Sequence, residues 1–133
     1  MLRRQLLQAG LAVAAASPTW SRAETWPAKP ITLVVPFPPG GSTDLIARAL
    51  STKMAEKLGP GFNFIVDNKA GATGTIGAAH VSRMPADGHT ILVSSLGPFV
   101  IAPHLIKANY DALKDLEPIT IVAQAPNVLV VPV

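Results

Sequence analysis

The residues best placed to do chemistry lie between an apolar run and a helical pattern. Prolines and glycines at 36–41 end the run, and Ser42, Thr43 and Asp44 are residue types that begin helices. The first N–H groups of a helix lack intrahelical acceptors and carry the positive end of the macrodipole, so a carboxylate or phosphate could bind here. The alternative interpretation is a tight turn in which Ser42 or Thr43 only caps the helix.

Two further loops of small residues follow predicted strands, at 70–75 and 94–98. Glycines in the second loop allow its backbone to approach a ligand closely, although a purely structural turn explains them equally well. All three loops would lie at the carboxyl ends of strands. Open α/β sheets bind ligands at that edge, so we expect the loops to meet there.

Signatures of nucleotide and metal sites are missing. The first loop has no lysine after its glycines, and the spacing of Gly71, Gly74 and Gly77 is not that of a dinucleotide-binding loop. The histidines show no metal-ligand spacing and are expected to be surface or packed residues: His80, His89 and His104. We therefore predict neither a metal nor a cofactor.

Residues for catalysis are present but are not arranged for it. Ser42, Ser94 and Ser95 lack the sequence of a nucleophile elbow, and no His/Asp pair is placed beside them. Asp44 could act as a general base, but a carboxylate in the first turn of a helix more simply stabilises the dipole. The other carboxylates are scattered singly, so no catalytic residue is predicted.

The elements that must position these loops alternate between strand and helix patterns. Apolar, mostly β-branched runs predict strands at 31–35, 62–66 and 90–93. Apolar residues at spacings of three and four predict a helix that begins at 42–44 and stops at 59–61, and a weaker pattern covers 76–84. This alternation predicts an α/β fold with a largely parallel sheet.

The last third of the chain gives a weaker pattern. Residues 99–118 are ambiguous, with a short helix near 102–107 as one interpretation. Apolar runs then recur at 119–123 and 128–133.

Positive charge is concentrated at the start of the chain. Arg3 and Arg4 precede an apolar stretch at 6–16, and Ser-Arg-Ala at 21–23 is a small-x-small site, which is the order of an export signal. We expect cleavage after about Ala23, by the Sec or the twin-arginine route. An uncleaved membrane anchor is disfavoured, because the stretch has about half of the roughly 20 apolar residues that span a bilayer.

This location of the charge excludes one class of partner. The chain of 133 residues has a formal net charge of +3, but removing 1–23 takes away three arginines and leaves eight basic against eight acidic residues. A domain with no net charge and no cluster of basic residues lacks the positively charged surface that binds phosphate backbones, so nucleic acid is excluded as a partner. The chain has no cysteine, which is compatible with an oxidising compartment.

Five motifs in the same order resemble a known family, the periplasmic solute-binding proteins of tripartite tricarboxylate transporters, called Bug receptors in bordetellae. The motifs are WPAKP (26–30), VPFPPGGSTD (35–44), VDNKAGATG (66–74), PADGHT (85–90) and PNVLVV (126–131). Together with the export signal they cover nearly the whole chain.

The resemblance implies a periplasmic-binding-protein-like (type II) lobe with a mixed, mainly parallel sheet flanked by helices. Two such lobes would close on a small carboxylate-bearing solute and deliver it to membrane permease subunits, without catalysis. By matching position, the resemblance implies these ligand-binding residues: Phe37, Gly40, Gly41, Ser42, Thr43, Asp44, Gly71, Ala72, Thr73, Ser94 and Ser95.

Receptors of this family are much longer than this chain. The resemblance therefore implies that 1–23 is the export signal and 24–133 the N-terminal part of the first lobe, with the second lobe absent from this chain. Closure on a ligand needs both lobes, so we expect the chain as given to bind solute weakly or not at all. We also expect exposed sheet edges.

Two other functions stay open at this point. An exported α/β hydrolase or transferase could use the same loop edge as an anion hole, although it would need a nucleophile and a base. Alternatively, the chain could associate with another chain that supplies the missing strands.

Overall fold

The computed structural model describes residues 25–124 and 129–132, so the predicted export signal lies outside the described residues. The regular elements are strand β1 (Ile31–Val35), helix α1 (Ser42–Leu58), strand β2 (Phe64–Asn68), helix α2 (Thr75–Val81), strand β3 (Thr90–Leu92) and the short helix α3 (Ala102–Leu105). A single 3₁₀ turn, Ala72–Gly74, precedes α2, and a π-helical turn, Gly97–Ile101, precedes α3. Strands and helices alternate, as the sequence predicts.

The described residues form a three-stranded sheet in the order β2-β1-β3, with every pairing parallel. Leu33 at the centre of β1 lies opposite Val66 of β2 and Ile91 of β3. Since the chain crosses from β1 to β2 on one side and returns to β3 on the other, right-handed crossovers place α1 and α2 on opposite faces. The parallel α/β fold is therefore confirmed.

The hydrophobic core lies between β1 and α1. It contains Ile31, Leu33, Val35, Ala47 and Val93, all buried. Val34, on the other face of β1, is fully buried as well. Burial on both faces explains why the sequence of β1 is a continuous apolar run and does not alternate between apolar and polar residues.

Helix α1 begins where its sequence predicts, but its cap differs. Gly41 is the N-cap, and no side-chain cap hydrogen bond forms there among the described residues. The interpretation that Ser42 or Thr43 caps the helix is therefore wrong: both lie inside the helix, one and two positions past the cap. Gly59 ends α1, and its N–H donates to the Ala55 carbonyl.

Strand β2 covers 64–68 rather than the predicted 62–66, because its register against β1 decides its ends. The Ile31 N–H donates to the Asn63 carbonyl, and pairing continues until Asn68 lies opposite Val35. The polar residues Asp67 and Asn68 are thus part of the strand, a result that hydrophobicity does not predict.

The C-terminal apolar runs form no strand in the parts that the structure describes, 119–124 and 129–132. Residues 119–124 are exposed, and no described strand lies beside them. The remainder of the second run, at 128 and 133, lies outside the described residues. Within 25–124 and 129–132, no helix has both the length and the apolar character needed to cross a membrane.

Candidate functional site

The three small-residue loops meet at the carboxyl edge of the sheet. Two hydrogen bonds extend the parallel pairing to this edge, from the Lys69 N–H to the Val35 carbonyl (2.8 Å) and from the Val93 N–H to the Val34 carbonyl (2.9 Å). The chain therefore leaves all three strands at one level, as the topology predicts.

Gly74 marks the point where the loops touch. A Cβ atom at this glycine would lie 2.6 Å from Pro98 Cγ and 3.3 Å from Phe37 Cζ, so only a residue without a side chain fits between the first and third loops. Its φ of +90° also favours glycine. The second loop thus packs closely against the first and third loops at Gly74.

An open pocket of about 380 Å³ lies at this edge. Its lining residues come from the first and third loops and the start of α1: Phe37, Pro38, Gly41, Ser42, Thr43 and Ser95. Five of the residues implied by the resemblance therefore line one pocket. Gly40 precedes them in the same loop, whereas Ser94 and the second-loop residues Gly71, Ala72 and Thr73 do not line it.

The pocket offers the groups that recognise an anion. Gly41, Ser42 and Thr43 are the N-cap and first two residues of a 17-residue helix, where backbone N–H groups lack intrahelical acceptors. Hydroxyl groups of Ser42, Thr43 and Ser95 add further donors, and Phe37 supplies an apolar wall. A carboxylate is a chemically suitable occupant.

Asp44 does not line the pocket, and its side chain has a structural role instead. Its side chain is buried, with 2% of the residue exposed. Oδ2 accepts hydrogen bonds from the Gly40 N–H and from Arg48 Nε, both at 2.9 Å, and Oδ1 accepts one from Asn68 Nδ2 at 2.9 Å. With both oxygens occupied, Asp44 shapes the loop from within.

These bonds also fix the charge of Asp44. The hydrogen bond from Arg48, followed by those from Gly40 and Asn68, holds the pKa of the Asp44 carboxyl well below its usual range. The same pairing raises the pKa of Arg48. The carboxylate and the guanidinium therefore stay ionised together at neutral and mildly acidic pH.

Two residues of this network, Arg48 and Asn68, were not predicted as part of the site. Arg48 Nη2 donates to Asn68 Oδ1 at 3.2 Å, and Asn68 Nδ2 also donates to the Phe37 carbonyl at 3.1 Å. The sequence carries two signals for them: Arg48 follows Asp44 by four positions on one helix, and Asn68 precedes the second loop.

The second loop has an unusual backbone. Ala72 and Thr73 have φ values of +45° and +57°, the left-handed region that residues with a Cβ rarely adopt. The Thr75 hydroxyl donates to the Ala72 carbonyl at 2.8 Å, and the Gly74 N–H donates to the Gly71 carbonyl at 2.9 Å. These bonds stabilise the strained turn from within.

Buried Tyr110 anchors the third loop, because its hydroxyl donates to the Pro98 carbonyl. Within the same loop, the Ser94 hydroxyl donates to the Ser95 carbonyl at 3.3 Å. No sequence pattern singles out Tyr110, which lies in the segment whose pattern is ambiguous.

The opposite, amino edge of the sheet holds a smaller cavity of about 280 Å³. Its lining brings together two of the five motifs: Trp26, Ala28 and Lys29 from one, preceded by Thr25, and Asp87 and His89 from the other. Lys29 and Asp87 form an ion pair of 2.9 Å, and the Trp26 ring lies 5.8 Å from the His89 ring. His89 is packed, as predicted.

No group of three His, Cys, Asp or Glu residues that could hold a metal ion occurs in the described ranges 25–124 and 129–132. The pocket at the carboxyl edge is accordingly built from neutral donors rather than from metal ligands.

A comparison with known protein families shows to which family the chain belongs. Residues 46–133 match the model of the tripartite tricarboxylate transporter family receptor. The chain belongs to this receptor family. The resemblance seen in the five motifs is thereby confirmed, and the family is one of receptors rather than enzymes. The hydrolase or transferase alternative has no support among the relatives.

Curated relatives of this receptor chain are considerably longer. A UPF0065 protein from the tcbD-tcbE intergenic region of Pseudomonas sp. strain P51 is 44% identical over 130 residues, which are 98% of this chain and 38% of the relative. BugT of Bordetella pertussis is 44% identical over 110 residues, or 81% of this chain and 33% of BugT. The receptor chain thus spans less than two fifths of these proteins.

Solved structures share the fold. MatC from Rhodopseudomonas palustris, solved with bound malate, is 40% identical with a TM-score of 0.62, covering 68% of this chain and 30% of MatC. A structure described as a periplasmic transporter is 38% identical with a TM-score of 0.62, covering 67% and 30%. The periplasmic-binding-protein-like fold of the receptor chain is therefore confirmed.

Proposed function

We propose that this chain supplies the carboxylate-binding loops of an extracytoplasmic receptor for a small carboxylate solute. The observation that carries the proposal is the pocket formed by the first turn of α1 and Ser95, whose lining combines neutral donors with the apolar ring of Phe37. Membership of the receptor family and the similarity to malate-bound MatC support a carboxylate as the occupant.

In the proposed binding mode, one carboxylate group of the solute accepts hydrogen bonds from the first turn of α1. The N–H groups of 41–43 and the hydroxyl groups of Ser42, Thr43 and Ser95 are the donors. Gly40 and Asp44 shape this loop, while Gly71, Ala72, Thr73 and Ser94 support it from behind. Phe37 excludes water from one side, which strengthens these hydrogen bonds.

The wider context belongs to the same proposal. Residues 1–23 direct export to the periplasm and are removed after about Ala23, and residues 24–133 form the N-terminal part of the first of two lobes. Permease subunits of the transporter receive the solute. The relatives' greater length and the periplasmic transport proteins among the similar structures support this arrangement.

A titration of the mature segment 24–133 followed by nuclear magnetic resonance tests the site. We expect malate to shift the amide signals of 41–43 and Ser95, and its uncharged diamide to leave them in place. Because a single lobe covers only one side of the solute, the affinity should be weak, and calorimetry with di- and tricarboxylates should show no micromolar binding.

A matched pair of variants distinguishes the loss of a pocket contact from a general effect of substitution on the protein. Thr43→Val removes a pocket hydroxyl without changing the side chain's shape and should weaken the malate response, whereas Thr120→Val changes an exposed residue outside the pocket and should not. Malate shifts that are absent at every accessible concentration, or equal for the diamide, would contradict the proposed site.

A further inference from the structure

The anion pocket has a negative charge built in behind it. Asp44 lies in the first turn of α1, two positions after the pocket residue Ser42, and its carboxyl is ionised. A carboxylate of the solute placed on the same turn would be repelled by this charge, because two unit charges a few ångströms apart interact strongly where water is excluded. A carboxylate receptor with this loop therefore needs a counter-charge.

We propose that Arg48 and Asn68 are positioning residues that neutralise and clamp Asp44, so that the first loop can accept a carboxylate. The inference rests on the proposed function and adds two residues to it. Neither residue lines the pocket as described, so both would act through Asp44 and the loop backbone.

Arg48 supplies the counter-charge at low cost. Its Nε lies 2.9 Å from Asp44 Oδ2, while about half of its side chain is exposed to solvent. The guanidinium thus keeps much of its hydration while it cancels a buried anion. The Asp44–Arg48 pair has no net charge, which leaves the helix dipole and the N–H groups as the dominant field in the pocket.

Asn68 joins the pair to the loop. A side-chain amide can donate and accept at once, and Asn68 uses both capacities: Nδ2 donates to Asp44 Oδ1 and to the Phe37 carbonyl, and Oδ1 accepts from Arg48. Phe37 and Gly40 lie at opposite ends of the Pro-Pro turn. Since Asp44 accepts from the Gly40 N–H, the network clamps both ends of the turn.

The test uses four versions of the full chain. Arg48→Gln removes the charge, Arg48→Lys keeps it but loses the planar guanidinium, and Asn68→Leu removes the clamp. Lys53→Gln is the matched control, because it makes the same change of charge on an exposed face of α1, where Lys53 pairs with Glu56.

Two measurements need no ligand. Carbon-13 carboxyl titration should show the Asp44 midpoint rising toward the ordinary aspartate range in Arg48→Gln, and exchange of the Gly40 amide proton should be faster in both Arg48→Gln and Asn68→Leu. Lys53→Gln should match the wild type in both. If Arg48→Gln behaves as Lys53→Gln does, the positioning role is overturned, whatever the solute.

The third measurement concerns charge. The malate dissociation constant should rise roughly tenfold in Arg48→Gln, the size expected when a buried charge loses its partner, and much less in Arg48→Lys. An equal loss in both Arg48 variants, or no loss in either, would overturn the neutralising role. If the wild type itself fails to bind malate, the proposed function fails, while the titration and exchange results still decide the positioning role.

Discussion

The Tyr110 hydroxyl donates a hydrogen bond to the Pro98 carbonyl, so a residue after α3 holds the third loop in place. Pro98 is itself buried and lies beside Gly74, where the second loop meets the first. Burial raises the pKa of the Tyr110 phenol, which therefore stays protonated and able to donate. The third loop depends on residues beyond the sheet.

Tyr110→Phe should destabilise the fold modestly. The substitution keeps the ring and leaves the buried Pro98 carbonyl without this donor, a loss of about 1–3 kcal/mol. Urea unfolding should show a lower midpoint with an unchanged slope. An unchanged midpoint would mean that the hydroxyl bond does not hold the third loop.

Gly77→Ala should be destabilising although alanine favours helices. A Cβ atom at Gly77 would lie 2.6 Å from Pro36 Cβ and 2.9 Å from Pro36 Cα, so α2 would have to move away from the end of β1. Overpacking of this kind costs about 1–3 kcal/mol, more than the gain of up to about 1 kcal/mol in helix propensity.

Gly61→Ala is the control for this change, because nothing lies within 4 Å of a Cβ atom at that position. Thermal unfolding of both variants should show a lower midpoint for Gly77→Ala alone. Equal midpoints would contradict the close packing of α2 on Pro36.

Asp87 should contribute to acid unfolding. The hydrogen bond from Lys29, followed by that from the His89 N–H, lowers the pKa of Asp87 from 3.8 to about 2. Because the folded pKa lies below the unfolded one, the stabilisation is complete above about pH 4 and is lost as the pH falls through 2.

Asp87→Asn isolates this effect. The variant should be less stable than the wild type at pH 6, and the difference in thermal midpoint should shrink between pH 4 and pH 2. A difference that is the same at every pH would show that ionisation of Asp87 does not matter to the fold.

His89→Phe should leave the stability at neutral pH unchanged or raise it. His89 is 7% exposed. Its Nδ1 lies 3.3 Å from Asp87 Oδ1 without hydrogen-bond geometry, and its Nε2 has no hydrogen-bond partner within the described residues, so its buried polar atoms are poorly compensated. Phenylalanine keeps the contact with Trp26 and removes those atoms. Marked destabilisation by phenylalanine, measured by urea unfolding, would reveal a bond that His89 makes in solution.

Self-association should increase with concentration. β2 and β3 each have one edge without a strand partner in the described part of the chain, and Ile119 and Ile121 are 75% exposed. Unpaired edges and apolar segments recruit other strands. X-ray scattering over a concentration series should show a growing mean mass, and a compact monomer at every concentration would contradict this expectation.

The sequence predicts best what local signals determine. β1 is a continuous apolar run between prolines, and α1 carries apolar residues at spacings of three and four, so both were located to within a residue or two. The meeting of the three loops also follows from topology, because parallel strands deliver their carboxyl ends to one edge.

The sequence predicts poorly what depends on distant partners. The ends of β2 are fixed by β1, and the clamp formed by Arg48 and Asn68 requires residues from two elements to meet around Asp44. The left-handed backbone of Ala72 and Thr73 occurs at residue types that rarely adopt it. Of this information, local patterns contain only the four-residue spacing of Asp44 and Arg48 and the position of Asn68 before the second loop.

The place of β1 in the sheet has a consequence for synthesis. Of the three described strands, β1 leaves the ribosome first. Both later strands must bind to it, and its first partner is complete only at Asn68. At about 5–20 residues per second, those 33 further residues take roughly 2–7 s. Throughout that interval the nascent chain presents its most apolar strand with both edges open.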